Sequence, residues 1–244
     1  MVSTSWNPWH GCTKISPGCQ NCYMFSMDAK YDKLSTSLTR NGTFDAPLRV
    51  DRYKNYKMED GQVVYTCLTS DFFHEDADKW RDEAWQIIRK RPGLTFFIFT
   101  KRTNLIPDRL PVDWREGYDN VIIGISCENQ EMLDKRAFEV LAVPMKHRAI
   151  VCSPLLECID ISQWVSSGGF ESVSVGGESA TKARICRYDW VLKIREQCVR
   201  HNVDFMFQQT GTLFEKGGKQ YKIFNHSVQK EQAARAGINT GRFA

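Results

Sequence analysis

Six short apolar runs, separated by stretches of helical character, constrain the fold of this 244-residue chain more than any other feature. Each run has five or six residues, and most of the runs are rich in β-branched and aromatic side chains, as buried strands are. Near-continuous apolar strands alternating with helices are typical of a parallel sheet covered by helices. The sequence therefore predicts an α/β fold, and periodicity alone leaves open whether the sheet closes into a barrel. The runs are Val63–Leu68, Leu94–Phe99, Val121–Ile125, His147–Cys152, Glu171–Val175 and Val203–Phe207.

Polar residues follow nearly every predicted strand at once. In parallel α/β proteins the carboxyl ends of the strands form the active face. One polar loop carries little information, whereas six at corresponding positions predict one shared polar pocket. The clusters are Thr69–Asp71, Thr100–Arg102, Ser126–Asn129, Ser153–Pro154, Gly176–Ser179 and Gln208–Gln209.

The composition indicates a globular protein, with 42% hydrophobic and 25% charged residues. No basic segment followed by an apolar one opens the chain, and no apolar run approaches the ~20 residues of a membrane helix. We therefore expect a cytoplasmic protein without membrane contact. The net charge of +4 permits a phosphate-bearing partner, but the pI near 8.5 is below the value above ~9 of dedicated DNA-binding domains.

Three of the nine cysteines, Cys12, Cys19 and Cys22, form a tight C-x6-C-x2-C cluster. In a reducing compartment, clustered cysteines are metal ligands or catalytic groups more often than disulfides. Three thiolates on a four-iron cluster leave one iron without a protein ligand, which is an arrangement for reaction chemistry. With His10 the same cysteines make a Cys3His set for structural zinc. The spacing alone leaves both interpretations open.

A resemblance to a known superfamily begins at these cysteines. The opening Trp6–Cys12 (W-N-P-W-H-G-C) and the Cys-x-x-Cys-Tyr that ends at Tyr23 resemble the cluster loop of radical S-adenosylmethionine enzymes, especially the spore photoproduct lyase branch. The usual loop of that superfamily is C-x3-C-x2-C, so the first spacing here is longer.

The chain resembles more closely a phage-associated group of uncharacterised radical-S-adenosylmethionine-like proteins, over almost its whole length. Near the end the chain departs from this group, with Phe207–Gly211 reading F-Q-Q-T-G where relatives tend to have F-K-Q-W-G. The shared segments after the opening are S-D-F-F-H at Ser70–His74, T-K-R at Thr100–Arg102, G-I-S-x-E-N at Gly124–Asn129, P-L-L-E at Pro154–Glu157 and G-G-E-S at Gly176–Ser179.

The resemblance implies a partial or near-complete parallel (β/α) TIM-like barrel of the radical S-adenosylmethionine type. It would form a single domain over residues 1–244, with 212–244 as a C-terminal extension read as a hairpin or flexible segment. The implied cofactors are a [4Fe-4S] cluster on Cys12, Cys19 and Cys22 and S-adenosylmethionine on the open iron. An electron from the cluster would cleave the cofactor to a 5′-deoxyadenosyl radical, which abstracts a substrate hydrogen.

Other site residues are assigned by the same resemblance. Ser70 and Asp71 are expected to bind the ammonium group of the cofactor, with an ordinary helix cap as the alternative, and the same alternative applies to Ser126. Lys101 and Arg102 are expected to hold a phosphate or carboxylate, with surface solvation as the alternative for Arg102. The expected cofactor-binding residues are Tyr23, Ser70, Asp71, Ser126 and Glu128, and the expected catalytic residues are Lys101, Glu178 and Gln208.

The expected substrate is a nucleoside, nucleotide or nucleic-acid base, in phage DNA modification or repair. The expected partner is an external electron donor such as flavodoxin or ferredoxin, in the host cytoplasm if the protein is phage-encoded. The alternative function is a non-catalytic, zinc-stabilised module that binds nucleic acid or protein.

Overall fold

A computed structural model describes residues 2–244 and contains twelve strands and six α-helices. The strands are β1 Ser3–Trp6, β2 Trp9–His10, β3 Thr39–Arg40, β4 Val63–Thr66, β5 Thr95–Thr100, β6 Val121–Ser126, β7 His147–Cys152, β8 Ser172–Gly176, β9 Cys186–Arg187, β10 Asp204–Gln209, β11 Leu213–Lys216 and β12 Lys219–Lys222. The helices are α1 Tyr23–Ala29, α2 Asp78–Lys90, α3 Gln130–Leu141, α4 Ser162–Val165, α5 Tyr188–Arg200 and α6 His226–Arg235.

The main sheet has seven strands in the order β1-β4-β5-β6-β7-β8-β10. The pairs β1–β4, β4–β5, β7–β8 and β8–β10 are parallel. Each of these strands pairs with the next long strand along the chain, as in a (β/α) barrel and unlike a doubly wound sheet. The α/β prediction is confirmed, and the strand order is compatible with a partial TIM-like barrel.

The six predicted strands correspond to β4, β5, β6, β7, β8 and β10. All five residues of β8 are buried although its sequence, S-V-S-V-G, alternates serine with valine, while β5 alternates between buried and half-buried positions. The stretches of helical character between these strands include α2, α3 and α5.

The chain divides into two compact units. The first unit comprises Met1–Thr13, Asp28–Gly124 and Glu139–His147, and the second comprises Lys14–Met27, Ile125–Phe138 and Arg148–Ala244. The expectation of one domain with a C-terminal extension stays a prediction.

Aromatic packing holds the opening segment of the first unit. Trp6 and Trp9 are fully buried, and Trp9 lies against Phe72 with ring centroids 5.3 Å apart. The indole nitrogen of Trp9 donates to the carbonyl oxygen of Asp71 at 3.2 Å. These contacts fix the segment that leads into Cys12 beside the residues that follow β4.

In the second unit, the residues after Gly211 form the β11–β12 hairpin and α6. Gly177 lies against the main chain of Thr210: a Cβ at this position would be 2.1 Å from the Thr210 carbonyl oxygen, so only glycine fits. Residues 213–216 and 219–222 are paired antiparallel strands, so the flexible alternative for this segment is wrong there. Along residues 2–244, no helix is both long and apolar enough to cross a membrane.

Candidate functional site

A buried arginine contacts Cys12, the first cysteine of the cluster motif. In the first unit, Nη1 of Arg102 lies 3.7 Å from the sulfur of Cys12, and Nη2 donates to the hydroxyl of Thr13 at 2.6 Å. Arg102 is only 4% exposed, so the alternative of surface solvation is wrong. A guanidinium beside a sulfur stabilises the anionic thiolate, which is the form that binds metal.

Asp71 fixes the position of this arginine. Its carboxylate accepts from the Thr100 hydroxyl at 2.8 Å and from the backbone nitrogens of Phe73 and Lys101 at 3.0 and 2.9 Å. Arg102 Nη1 forms an ion pair with Oδ2 at 3.4 Å. Three hydrogen bonds and this ion pair engage both carboxylate oxygens of Asp71. Asp71 therefore positions the polar loop after β5.

Two further side chains bind the segment around Cys12. The hydroxyl of Ser70 donates to the carbonyl oxygen of Gly11 at 2.5 Å, and a ring nitrogen of His74 lies 3.1 Å from the Thr13 hydroxyl. The backbone nitrogen of Cys12 donates to the Ser35 carbonyl at 2.8 Å. The first cysteine is thus held by the residues that follow β4 and by the loop at Ser35.

Cys19 and Cys22 lie on one tight turn of the second unit. The residues Pro17–Cys19 form a 3-10 helix, and the backbone nitrogen of Cys22 donates to the Cys19 carbonyl at 3.3 Å. Cys19 is buried and Cys22 is half-buried. Pro17 occupies the first position of this 3-10 helix.

Glu128, which follows β6, binds this turn. Its Oε1 accepts from the backbone nitrogen of Gly18 at 2.8 Å, and its Oε2 pairs with Nη1 of Arg136 at 2.7 Å. The glutamate is 1% exposed, so both bonds are made away from water. A Cβ on Gly18 would lie 2.9 Å from Cδ of Glu128, so only glycine permits this approach.

Glu178, in the segment after β8, binds the other end of the same turn. Its Oε2 accepts from the Asn21 amide at 3.0 Å and from the backbone nitrogen of Arg184 at 2.8 Å. Arg184 also pairs with Glu178 through its guanidinium and donates to the Pro17 carbonyl at 3.0 Å. The turn that carries two cysteines is therefore held by two buried carboxylates.

The environment of Glu178 favours its charged form. Burial opposes ionisation, but the hydrogen bonds from Arg184 and Asn21 outweigh it and lower the pKa of Glu178 below its ordinary value. The carboxylate is thus anionic at neutral pH.

A family model described as "Protein of unknown function (DUF5131)" matches residues 1–240. The chain belongs to the DUF5131 family. No curated protein and no solved structure matches the chain. The description of the DUF5131 family assigns no activity to its members.

The other expected site residues of the DUF5131 chain lie at strand ends or beside Cys22. Ser126 is buried at the end of β6, and its carbonyl accepts from Arg136. Tyr23 begins α1 and is 44% exposed. Gln208 is the extra residue of a β-bulge in β10, where Phe207 pairs with Val175 and Gln209 with Gly176. Bulges often redirect a side chain beside an active site.

Lys101 and Gln208 keep their side-chain polar groups available. Within residues 2–244, the Lys101 ammonium makes no ion pair and the Gln208 amide makes no hydrogen bond to the protein. The neighbouring Gln209 is instead bound to the Gly177 carbonyl at 3.0 Å. The roles expected for Lys101 and Gln208 stay predictions.

Five of the six other cysteines behave as buried apolar side chains. Burial raises the pKa of Cys186 and Cys198 to about 12, so both stay protonated. Cys158 alone of the six is exposed. The buried ones are Cys67, Cys127, Cys152, Cys186 and Cys198.

His10, the fourth ligand of the zinc alternative, is bound by a buried carboxylate. Its Nε2 lies 2.9 Å from both carboxylate oxygens of Asp28. Burial raises the pKa of Asp28, but hydrogen bonds from His10 and Ser35 outweigh it and lower that pKa overall. Across residues 2–244, no three His, Cys, Asp or Glu side chains are grouped so as to hold a metal ion.

Sequence reasoning missed the partners of the acidic residues. Arg136 and Arg184 gave no signal although they lie only 8 and 6 residues from Glu128 and Glu178, because contacts across loops follow no sequence periodicity. Gly18 gave none because it is 110 residues from Glu128. The polar clusters after the strands identified the acidic residues themselves.

Proposed function

We propose that this DUF5131 protein is a radical S-adenosylmethionine enzyme. Cys12, Cys19 and Cys22 would hold a [4Fe-4S] cluster, and the substrate would be a nucleoside, a nucleotide or a nucleic-acid base. The observation that supports the proposal most is a C-x6-C-x2-C motif whose first sulfur lies 3.7 Å from a buried guanidinium. Three thiolates leave one iron open for S-adenosylmethionine.

The donor chemistry of these residues fits the cluster. All three cysteines are free thiols, and thiolate sulfur is the preferred ligand of iron–sulfur clusters. The side chains are not grouped as a ligand set among residues 2–244, so the proposal depends on spacing and chemistry. In the zinc alternative His10 would bind through Nδ1, since its Nε2 is bound to the Asp28 carboxylate, as in many metal-ligating histidines.

The chain's own residues position the ligands in this proposal. When bound, the cluster would supply one electron for the reductive cleavage of S-adenosylmethionine. Arg102 stabilises negative charge on Cys12, and Glu128 and Glu178 hold the turn of Cys19 and Cys22. Because both carboxylate oxygens of Asp71 are engaged by protein groups, we assign Asp71 to positioning, together with Ser70.

The other expected site residues are assigned to the cofactor or to the substrate in this proposal. Tyr23 and Ser126 are assigned to S-adenosylmethionine, and Lys101 and Gln208 to the substrate, where an ammonium and an amide suit a phosphate or a base edge. An external donor such as flavodoxin or ferredoxin would supply the electron.

The test is formation of 5′-deoxyadenosine by anaerobically reconstituted protein with reductant and S-adenosylmethionine. Cys12→Ser, Cys19→Ser and Cys22→Ser should each abolish the product, whereas the matched control Cys158→Ser, at an exposed cysteine, should retain it. Zinc in the purified protein, with no 5′-deoxyadenosine, would overturn the proposal.

A further inference from the structure

The β11–β12 hairpin brings two lysines together at its tip. Gly217 and Gly218 both have positive φ, +58° and +73°, as the central residues of a type I′ turn do. This turn places Lys216 directly opposite Lys219 in the antiparallel register. Like charges directly opposite each other destabilise a strand pair, so the pairing is not explained by stability.

The lysines of this hairpin have no acidic partners. Within the described residues, Lys216, Lys219 and Lys222 make no ion pair, and the nearby Glu215 is paired with Arg187 at 3.0 Å. The ammonium of Lys216 lies 4.6 Å from the ring centroid of Tyr188, which orients the side chain without neutralising it. Three positive charges are therefore available to an external anion.

Exposed aromatic rings lie among these charges. Every residue of β12 is exposed, Tyr221 by 45%, and Phe224 just beyond the strand is 70% exposed. Lys219 and Tyr221 share one face of the strand, about 6.7 Å apart along it. A Cβ on Gly217 or Gly218 would meet no atom within 4 Å, so the tip is open to a ligand.

We propose that this hairpin binds single-stranded nucleic acid. Lysines that follow a phosphodiester backbone, with aromatic rings on which bases stack, are the combination that such proteins use. An acidic protein would also pair with the lysines and pack on Tyr221 and Phe224, and it is therefore an outcome of the test below. The inference names the substrate class of the proposed enzyme and rests on the proposed function in that respect, but binding itself requires neither cluster nor S-adenosylmethionine.

Fluorescence anisotropy with a labelled oligothymidylate of about 15 nucleotides tests the proposal over a salt series. Each phosphate contact contributes about 0.7 to the slope of log affinity against log salt. The triple variant Lys216→Gln, Lys219→Gln, Lys222→Gln should therefore lower the slope by about 2 and weaken binding at least tenfold at low salt. Tyr221→Ala with Phe224→Ala should weaken binding about tenfold with the slope unchanged.

The matched control removes three exposed lysines elsewhere, with Lys57→Gln, Lys90→Gln and Lys135→Gln, and should keep the wild-type slope. Equal slopes for the two triple variants, at equal urea midpoints, would overturn the proposal. Polyglutamate that competes as well as the oligonucleotide, with the aromatic variant unaffected, would assign the surface to an acidic protein instead. Lysine-dependent binding without 5′-deoxyadenosine formation would contradict only the proposed function. Formation of 5′-deoxyadenosine without lysine-dependent binding would contradict only this inference.

Discussion

The guanidinium of Arg102 lies between the sulfur of Cys12, at 3.7 Å, and the carboxylate of Asp71, at 3.4 Å. The side chains of Arg102 and Asp71 are only 4% and 6% exposed. The positively charged partner of this buried ion pair, Arg102, thus lies beside the sulfur of the first cysteine of the motif. In an iron–sulfur site, hydrogen bonds to sulfur help to set the reduction potential.

Replacement of Arg102 should change both stability and potential. Arg102→Met leaves Asp71 buried without its charge partner and should lower the free energy of unfolding by about 3–5 kcal/mol. It should also make the midpoint potential of the reconstituted protein more negative, because the donor to the sulfur is lost. Urea unfolding and an EPR-monitored redox titration measure the two effects.

Two variants calibrate that experiment. Arg102→Lys retains the charge and should show a smaller change in both quantities. Arg89→Met, from the exposed pair with Asp113, should lower the free energy of unfolding by no more than about 1 kcal/mol and leave the potential unchanged. A potential in Arg102→Met equal to the wild-type value would disprove the contact's electrostatic role.

The close approach of Gly18 and Glu128 predicts non-additive stability changes. Gly18→Ala places its Cβ 2.9 Å from Cδ of Glu128 and should therefore destabilise the protein. In a Glu128→Ala background the same substitution should have a smaller effect, with a coupling energy of about 0.5–3 kcal/mol. Urea unfolding of the two single variants and the double variant measures it.

Gly42 provides the control for this cycle, because a Cβ there meets no atom within 4 Å. Gly42→Ala should add to Glu128→Ala within about 0.5 kcal/mol. Additive effects for Gly18→Ala as well would mean that the two residues are not in contact.

Glu178 should make stability depend on acid pH. Its folded pKa is lowered, so its stabilisation is fully present above the unfolded value of about 4.3 and is lost as the pH falls through the folded pKa. Glu178→Gln should lower the free energy of unfolding by about 1–3 kcal/mol at pH 7. The difference from wild type should shrink below a pH of about 4.3, as measured by urea unfolding at several pH values.

The exposed Glu196–Arg200 pair on α5 provides a control for acid pH. Glu196→Gln should change the free energy of unfolding by less than about 0.5 kcal/mol at every pH. If the gap between wild type and Glu178→Gln stayed constant down to the acid limit, Glu178 would not be the titrating group.

Much of the fold was predictable because buried parallel strands and amphipathic helices leave periodic patterns in the sequence. β8 and α2 were found in this way. β1 was missed because Ser3–Trp6 is short and mostly polar, and its pairing with β4 involves residues about 60 positions away.

The candidate site was predictable in part. Asp71 and Glu128 were identified because they follow strands, but the sequence analysis assigned both of them to cofactor binding. The structure gives Glu128 and Asp71 protein partners, Gly18 and Arg102, and single-sequence reasoning has no signal for such long-range pairs.

We propose that Cys12, Cys19 and Cys22 hold a four-iron cluster with one open iron. The EPR spectrum of the reduced, reconstituted protein before and after addition of S-adenosylmethionine tests this directly. The protein should contain about four iron atoms and four sulfides per chain and give a signal that shifts when the cofactor binds the open iron. A signal that S-adenosylmethionine does not change, or zinc in place of iron, would contradict this proposal.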